Sequence, residues 1–117
     1  MIRTKLELTL DDLYETEGVD ACILYRIDGI PITVRTPRDN AIIEVMFWLE
    51  KQIKHVLRNM DKEGLKAATF DFKNYQILLT PSSRSTVLVT LINPHAHKQL
   101  ISIEIARAKS KIHKFVS

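Results

Sequence analysis

Residues 18–32 read Gly18-Val-Asp-Ala-Cys-Ile-Leu-Tyr-Arg-Ile-Asp28-Gly29-Ile-Pro31-Ile32, and this stretch predicts a β-hairpin. Two runs of β-forming residues flank Asp28-Gly29, a dipeptide typical of hairpin turns because glycine adopts a positive φ without strain. The first run is apolar on both alternating faces in its middle, which predicts a central strand covered from both sides. Pro31 cannot donate a backbone hydrogen bond, so we expect the second strand at an edge of the sheet.

The segment before the hairpin combines a strand signal with a helix signal. Residues 5–10 alternate between polar and apolar side chains, as a strand does. Thr9, with Asp12 three places later, is typical of a helix start, and Gly18 is typical of a helix stop. We therefore predict a short helix over residues 9–17 and regard residues 1–8 as a possible N-terminal extension.

A long helix is predicted over residues 37–61, with Thr36 as its cap and Pro37 at its first position. At 100° per residue, its core-facing side chains fall within an arc of roughly 120°. They are Ile42, Val45, Met46, Leu49, Ile53, Val56, Leu57 and Met60. Ile43 and Phe47 lie on one flank of this stripe and Trp48 on the other. A helix that only covers one face of a sheet does not need apolar side chains at these three positions.

The second half of the chain predicts three strands and a helix. Residues 66–72 and 75–80 alternate and are joined by a tight Lys73-Asn74 turn, which indicates a second hairpin. Residues 86–92 form a further apolar strand. Asn93-Pro94 is then expected to cap a final helix that ends near Phe115. Its apolar stripe is Ile101, Ile105, Ala108, Ile112 and Phe115.

These elements follow the order α-β-β-α-β-β-β-α, an α+β fold with five mainly antiparallel strands. Both central strands are apolar on both faces, so the long helix should cover one face and the two other helices the opposite one. A chain of 117 residues is too short for two stable domains, which favours one domain over residues 1–117.

At this point the chain resembles the roadblock (dynein light chain) family of the roadblock–longin superfamily. Gly18, Asp28, Gly29 and Pro31 stand where that family has its Gly-Val, apolar strand and Asp-Gly-apolar-Pro signature. The resemblance implies a sheet order of 2-1-5-4-3. It also implies dimerisation, in which the third strands pair across a twofold axis and the long helices pack together. Members of the family are non-catalytic motor light chains, membrane scaffold pairs and regulators of small Ras-like GTPases.

This sequence departs from the family pattern in two places. The long helix is often rich in small residues in the family, whereas here it carries Phe47 and Trp48. The final helix is long and basic, with Lys109, Lys111 and Lys114, which leaves room for an accessory contact.

A candidate interaction surface follows from the residues and from the resemblance together. The strand over residues 66–72 has no proline, so it offers a pairable edge, and the neighbouring helix carries surplus apolar side chains. The residues that we expect at a dimer or partner interface are Ile43, Phe47, Trp48, Lys51, Phe70 and Phe72. The alternative is that Ile43, Phe47 and Trp48 are ordinary scattered surface hydrophobes.

Other kinds of site have weak support in the sequence. The single cysteine, Cys22, falls inside a central strand and should be a buried, inert thiol. His95 and His97 are two residues apart and would point in different directions on a helix, which argues against a metal site. The serines at 82, 83 and 85 lack a catalytic setting, and the three glycines form no nucleotide-binding loop. We expect no cofactor and no nucleic-acid ligand.

Charge is unevenly distributed along the chain. Overall, 17 basic and 14 acidic residues give a net charge of +3. Residues 1–20 hold two basic and six acidic side chains, whereas residues 95–117 hold five basic and one acidic. We expect the acidic first helix and the basic last helix to share one face of the sheet and partly neutralise each other.

The leading hypothesis is a dimeric, non-catalytic scaffold that binds and regulates a small Ras-like GTPase, either as a homodimer or with a related chain. Two alternatives remain: a structural light chain of a motor or membrane scaffold complex, and a profilin-like sensory domain for a small ligand. The sequence has no run of about 20 apolar residues and no signal peptide, so a cytoplasmic protein without an integral membrane segment is expected.

Overall fold

A computed structural model describes residues 4–116. In chain order its elements are α1 (Lys5–Tyr14), β1 (Val19–Arg26), β2 (Pro31–Arg35), α2 (Asn40–Lys62), β3 (Ala68–Asp71), β4 (Gln76–Pro81), β5 (Thr86–Ile92) and α3 (Lys98–Val116). The predicted α-β-β-α-β-β-β-α order is therefore confirmed.

The five strands form one sheet in the order β2-β1-β5-β4-β3, and all neighbouring pairs are antiparallel. β1 lies between β2 and β5, with Ile23 opposite Val34 on one side and opposite Val89 on the other. Every residue of β5 is buried. The sheet order implied by the roadblock resemblance and the edge position predicted for the Pro31 strand are both confirmed.

Two apolar layers enclose the sheet. Alternate residues of β1 and β5 face α2, including Ala21, Ile23 and Val89, and they pack with the buried stripe of that helix. The intervening residues, including Cys22 and Leu24, face α1 and α3. Since both faces of β1 are apolar, both must be covered to remove them from water. The predicted division of the helices, one against two, is thus confirmed.

Helix α1 begins earlier than the sequence predicted. Thr4 caps it: the Thr4 hydroxyl accepts from the Glu7 N–H at 3.1 Å, and the Glu7 carboxylate accepts from the Thr4 N–H. This capping box favours a helix over the strand suggested by the alternation of residues 5–10. Thr9 is no cap, because it is buried within the helix and its hydroxyl donates to the Lys5 carbonyl. Of the proposed extension, residues 4–8 therefore contain the cap and first turn of α1, and residues 1–3 lie outside the described part.

The starts predicted for the other two helices were also wrong. Asp39, not Thr36, caps α2, because its carboxylate accepts from the N–H groups of Ala41 and Ile42. α3 begins at Lys98, where His97 Nδ1 accepts from the Leu100 N–H at 3.2 Å. Asn93-Pro94 lies in the preceding turn instead.

The strand predicted over residues 66–72 is shorter, since β3 spans Ala68–Asp71. The N–H of Phe72 donates to the Tyr75 carbonyl at 2.7 Å, which closes the predicted hairpin between β3 and β4.

The first and last helices lie together on one face, as the charge distribution predicted. Lys111 Nζ of α3 is 3.6 Å from Asp12 Oδ2 of α1. Arg35 of β2 also contacts α1, where its Nε donates to Asp11 and its Nη2 lies 3.7 Å from Glu7 Oε2. The acidic side of α1 is therefore partly neutralised within the fold.

Candidate interaction surface

Helix α2 covers the sheet with a buried stripe and presents two flanks. Five of the eight predicted stripe residues are buried, and the other three, Val45, Met46 and Val56, are partly buried against the same core. The stripe predicted from helical spacing is confirmed. The flanks differ in what they contact.

On one flank, Trp48 joins two rings of the β3–β4 hairpin. Its ring centroid lies 5.3 Å from that of Phe70 and 5.0 Å from that of Phe72, and both contacts are edge-to-face. All three side chains are partly buried. We call Trp48, Phe70 and Phe72 the aromatic cluster. It lies beside β3, the strand at one edge of the sheet.

Lys51 follows Trp48 by three residues on α2 and is exposed. Lys51 is three residues from Trp48 and four from Phe47, and positions three or four apart on a helix are neighbours, so Lys51 lies on the exposed face of α2 between the two flanks. The structure thus brings three of the six predicted interface residues, Trp48, Phe70 and Phe72, together on the β3 side of the molecule.

The other flank of α2 faces the opposite edge of the sheet. Ile43 and Phe47 line a cavity of about 480 Å³ between α2 and β2, and Phe47 is 60% exposed. We call this cavity the β2–α2 groove. Its lining also includes Ile23, Tyr25, Gly29, Ile30, Pro31, Val34, Thr36, Met46, Glu50, Ile53 and Lys54. Ile43 and Phe47 therefore form a surface separate from that of Trp48.

The β2 side of this groove was not predicted from the sequence. Ile30 and Val34 contribute to it and are 49% and 40% exposed. The available signal was the aliphatic run on both sides of Pro31, in a strand already predicted at an edge. Burial and, to a lesser extent, the nearby Glu50 carboxylate raise the pKa of Tyr25 within the groove, which disfavours the charged form of its hydroxyl.

The signature residues act in the backbone of the first hairpin and its surroundings. Gly29 has φ of 94°, and a Cβ there would lie 2.8 Å from Lys54 Cγ of α2. Gly18 has φ of 93°, and a Cβ there would lie 2.3 Å from the Ala96 Cβ. The Asp28 carboxylate accepts from Arg26 Nη2 at 2.6 Å and from the Ile30 N–H. Pro31 begins β2 opposite Tyr25. Asp28, Gly29 and Pro31 shape the hairpin on which one wall of the groove is built, whereas Gly18 lies at the other end of β1, beside Ala96.

A small polar pocket lies at the other end of the sheet. Asp20, Asp39, Tyr75 and His95 line it. Burial and the Asp39 charge raise the pKa of Asp20, whereas burial followed by the charges of Asp39 and Asp20 raises the pKa of Tyr75. Both shifts disfavour the charged form of the group. Asp39 is already engaged as the cap of α2.

Cys22 is buried in β1, and its thiol donates to the Leu10 carbonyl at 3.6 Å. Burial raises its pKa to about 12, an effect that Arg35 opposes and Asp11 reinforces. Since the thiolate is the reactive form, this environment makes the group inert.

Within residues 4–116, no group of three or more His, Cys, Asp or Glu side chains is arranged to hold a metal ion. Ser82 and Ser83 form hydrogen bonds with the Thr86 hydroxyl, which stabilises the turn before β5. No helix in this part of the chain combines the length and apolar character that a membrane span requires. What the geometry does present is two partly apolar surfaces, the aromatic cluster and the β2–α2 groove.

Comparison with sequence families and curated proteins gave one match. The model of the AF0774-like protein family matches residues 3–106. No curated protein matches the sequence significantly.

Several solved structures share the architecture. MglC from Myxococcus xanthus is 12% identical, with a TM-score of 0.78, over 97% of this chain and all of that one. MglB from the same organism is 14% identical, with a TM-score of 0.75, over 98% and 97%. A Roadblock/LC7 domain from Streptomyces avermitilis is 11% identical, with a TM-score of 0.74, over 97% and 98%. At these identities the likeness concerns the fold, and it confirms the roadblock fold implied by the hairpin signature.

Proposed function

The chain belongs to the AF0774-like protein family and has the roadblock fold, and on this basis we propose that it is a dimeric, non-catalytic module that binds and regulates a small Ras-like GTPase. The GTPase part of the proposal derives from the roadblock resemblance. The dimer part is supported by the surfaces described above, and each part has its own test.

The observation that carries the proposal is the position of the aromatic cluster beside an open sheet edge. β3 is the last strand of the sheet, so one side of its backbone has no strand neighbour among the described residues. Trp48, Phe70 and Phe72 leave part of their rings exposed next to it. Pairing of two β3 strands across a twofold axis would give hydrogen-bond partners to the backbone groups of this edge and would also cover the rings. The mate is a second copy or a related chain.

In such a dimer, both copies of α2 lie on the same face of one continuous sheet and form the platform for the partner. Lys51 and the exposed parts of the aromatic cluster would contact it, since aromatic side chains often supply most of the binding energy of an interface. The module then acts by geometry. Any change in nucleotide turnover arises because the platform reshapes the mobile switch segments of the GTPase.

Light scattering on the purified chain at micromolar concentration tests the dimer. We expect a mass of twice the 13.5 kDa of one chain. The Trp48→Ala variant should shift toward the single-chain mass, because the cluster loses its central ring. A matched variant, Ile103→Ala, removes a 54% exposed side chain of α3 on the other face and should leave the mass unchanged. A monomeric wild-type chain would refute the dimer.

Capture of partners from native cytoplasm tests the GTPase. Immobilised wild-type chain should retain a small GTPase, identified by mass spectrometry, and the purified pair should show an altered rate of GTP hydrolysis. Trp48→Ala and Lys51→Glu should reduce capture, whereas Ile103→Ala should not. Capture that is equal for all the variants, or a hydrolysis rate that stays unchanged, would contradict the proposed role of this surface.

A further inference from the structure

Helix α3 carries more positive charge than the fold neutralises. It has five basic side chains and one acidic side chain, Glu104. Arg107 Nη1 lies 3.1 Å from Glu104 Oε1, and Lys111 pairs with Asp12 of α1. The other three basic side chains of α3 have no ion-pair partner among residues 4–116, and they are Lys98, Lys109 and Lys114. Lys98 and Lys114 are exposed, and Lys109 is partly exposed.

The neighbouring helix α1 does not supply the missing negative charge. Its acidic side chains are already engaged, since Glu7 and Asp11 contact Arg35 of β2 and Asp12 contacts Lys111. The three unpaired lysines of α3 therefore give the outer surface of this helix a net positive charge.

The stability of α3 does not account for all of this charge. The first turn of the helix contains Lys98 and no acidic side chain. The N-terminal end of a helix has a partial positive charge, which disfavours a cation there. The helix dipole favours cations only at the other end, where His113 and Lys114 lie. An anion outside the chain would stabilise the charge at both ends.

Exposed apolar side chains lie among these cations. Leu100, Ile103 and Phe115 are 45%, 54% and 40% exposed. With 3.6 residues in each turn, Leu100, Arg107 and Lys114 all lie within about 60° of Ile103 around the helix axis. We call Leu100, Ile103, Arg107 and Lys114 the α3 ridge. It is apolar in its first half and basic in its second half.

The shape of this surface distinguishes between anionic partners. The recess between α1 and α3 has a volume of about 10 Å³, which is room for one water molecule at most. A protein partner usually anchors its main binding residues in pockets, whereas a membrane can accept a convex ridge. A nucleic acid would contact the cations but would leave Leu100 and Ile103 without a role. At an anionic membrane, lysines contact the headgroups and apolar side chains enter the acyl boundary.

We propose that the α3 ridge, together with Lys98 and Lys109, binds the surface of an anionic phospholipid membrane, with Leu100 and Ile103 inserted at the acyl boundary. The contact is peripheral and involves no membrane span. It lies on the face of the sheet opposite α2, so it does not depend on the dimer or on the GTPase. In the proposed dimer both copies of α3 lie on this one face, so a single membrane would contact both and bind more strongly.

Sedimentation with vesicles tests the proposal on the purified full chain. One set of sucrose-loaded vesicles consists of phosphatidylcholine alone, and the other contains phosphatidylserine as well. We expect the chain to sediment with the phosphatidylserine vesicles and to remain in solution with the others. Added sodium chloride should release it, because salt screens charges at the surface.

Three variants locate the contact. Lys109→Glu combined with Lys114→Glu should weaken binding to the phosphatidylserine vesicles at least about thirtyfold, because two attracted cations become two repelled carboxylates. Lys62→Glu combined with Lys66→Glu is the matched control, since it changes the net charge equally and also alters the last turn of a helix. It should bind as the wild type does. Ile103→Ser should weaken binding about fivefold through the lost apolar contact, and it tests the ridge even if the double change on α3 disturbs the fold.

Three results would overturn the proposal. One is the absence of sedimentation with the phosphatidylserine vesicles. Another is an equal loss of binding in the Lys62 and Lys66 control, which would indicate an effect of net charge rather than a site on α3. The third is unchanged vesicle binding by Ile103→Ser together with equally strong binding of the wild type to soluble polyglutamate, which would indicate a surface for acidic proteins rather than for lipid.

Discussion

The indole of Trp48 packs edge-on against the ring of Phe72, with centroids 5.0 Å apart and ring planes at 83°. This contact joins the middle of α2 to the turn between β3 and β4. Edge-to-face pairs place the electropositive rim of one ring against the electron-rich face of the other. The contact holds the long helix to the sheet beside the edge where we propose that a second chain pairs.

A double-mutant cycle measures this contact. Trp48→Ala and Phe72→Ala should be less destabilising together than the sum of the two single changes, by about 0.5–1.5 kcal/mol. Urea unfolding at one fixed protein concentration supplies the values, since a dimer makes the midpoint depend on concentration. Strict additivity would mean that the two rings do not stabilise each other.

Arg35 joins the edge strand β2 to α1 in a largely buried contact. Its side chain is 22% exposed and that of Asp11 is 19% exposed. Arg35→Met leaves the Asp11 carboxylate without this donor, so we expect a loss of about 1–3 kcal/mol in the free energy of unfolding. Arg26→Met is the matched control, because the Arg26–Asp28 pair is about half exposed and exposed pairs contribute little. Equal effects of the two changes on the urea midpoint would contradict this.

The raised pKa of Asp20 predicts a pH dependence of stability. Burial is its main cause and the Asp39 charge adds to it, so the folded chain keeps this proton at higher pH than the unfolded chain does. The free energy of unfolding therefore falls as the pH rises from the ordinary value of 3.8 through the raised folded-state pKa. Asp20→Asn has no ionisable carboxyl at this position, so its free energy of unfolding does not fall in this way. It should unfold at higher urea than the wild type at pH 7.

The advantage of Asp20→Asn should shrink as the pH is lowered from 7 toward 4, where the wild-type carboxyl also takes up its proton. Lys73, Tyr75 and His95 line the same pocket and are unchanged in both proteins. A difference in urea midpoint that stays constant over this pH range would show that Asp20 acts by another route.

The thiol of Cys22 should react slowly in the folded chain. With a pKa of about 12, roughly one molecule in ten thousand carries the thiolate at pH 8, against about one in ten for an ordinary value of 9.0. Labelling with iodoacetamide at pH 8 should thus be at least about a hundredfold slower than in denaturing urea. Glutathione in both solvents controls for effects of urea on the reagent. Comparable rates would mean that the thiol is accessible.

Gly18 is expected to tolerate a side chain poorly. Its φ of 93° disfavours other residues, and a Cβ would lie 2.3 Å from the Ala96 Cβ. Gly64 also has a positive φ, of 68°, but a Cβ added there would meet nothing within 4 Å. Gly64→Ala should cost about 1 kcal/mol from backbone strain alone. Gly18→Ala should cost at least about twice as much, because the clash adds to the strain. Equal thermal unfolding midpoints would refute the clash.

Locally encoded features were predicted well. Asp28-Gly29 reverses the chain within a few residues, so the local sequence is enough to predict the hairpin. The apolar side chains on both faces of residues 21–24 must be buried, which predicts that both faces of the sheet are covered. The core stripe of α2 follows from helical spacing alone. Helix starts were harder, because Thr36 and Asp39 are both competent caps and lie close together. Residues 5–10 alternate as in a strand, but the capping box of Thr4 and Glu7 stabilises a helix there, and the helix is what forms.

The interaction surfaces were also predicted in part from local sequence and in part only from the tertiary structure. Helical periodicity is a property of the sequence, and it sufficed to separate Ile43 and Phe47 from Trp48 on α2. Which sheet edge each flank faces depends on how α2 crosses the sheet, and that direction results from packing between residues far apart in the chain. Packing therefore placed Trp48 against Phe70 and Phe72, and Phe47 across a groove from Val34. The periodic pattern identified the apolar residues of α2 that lie outside the buried stripe. Long-range packing determined which surface of the molecule each of these residues joins.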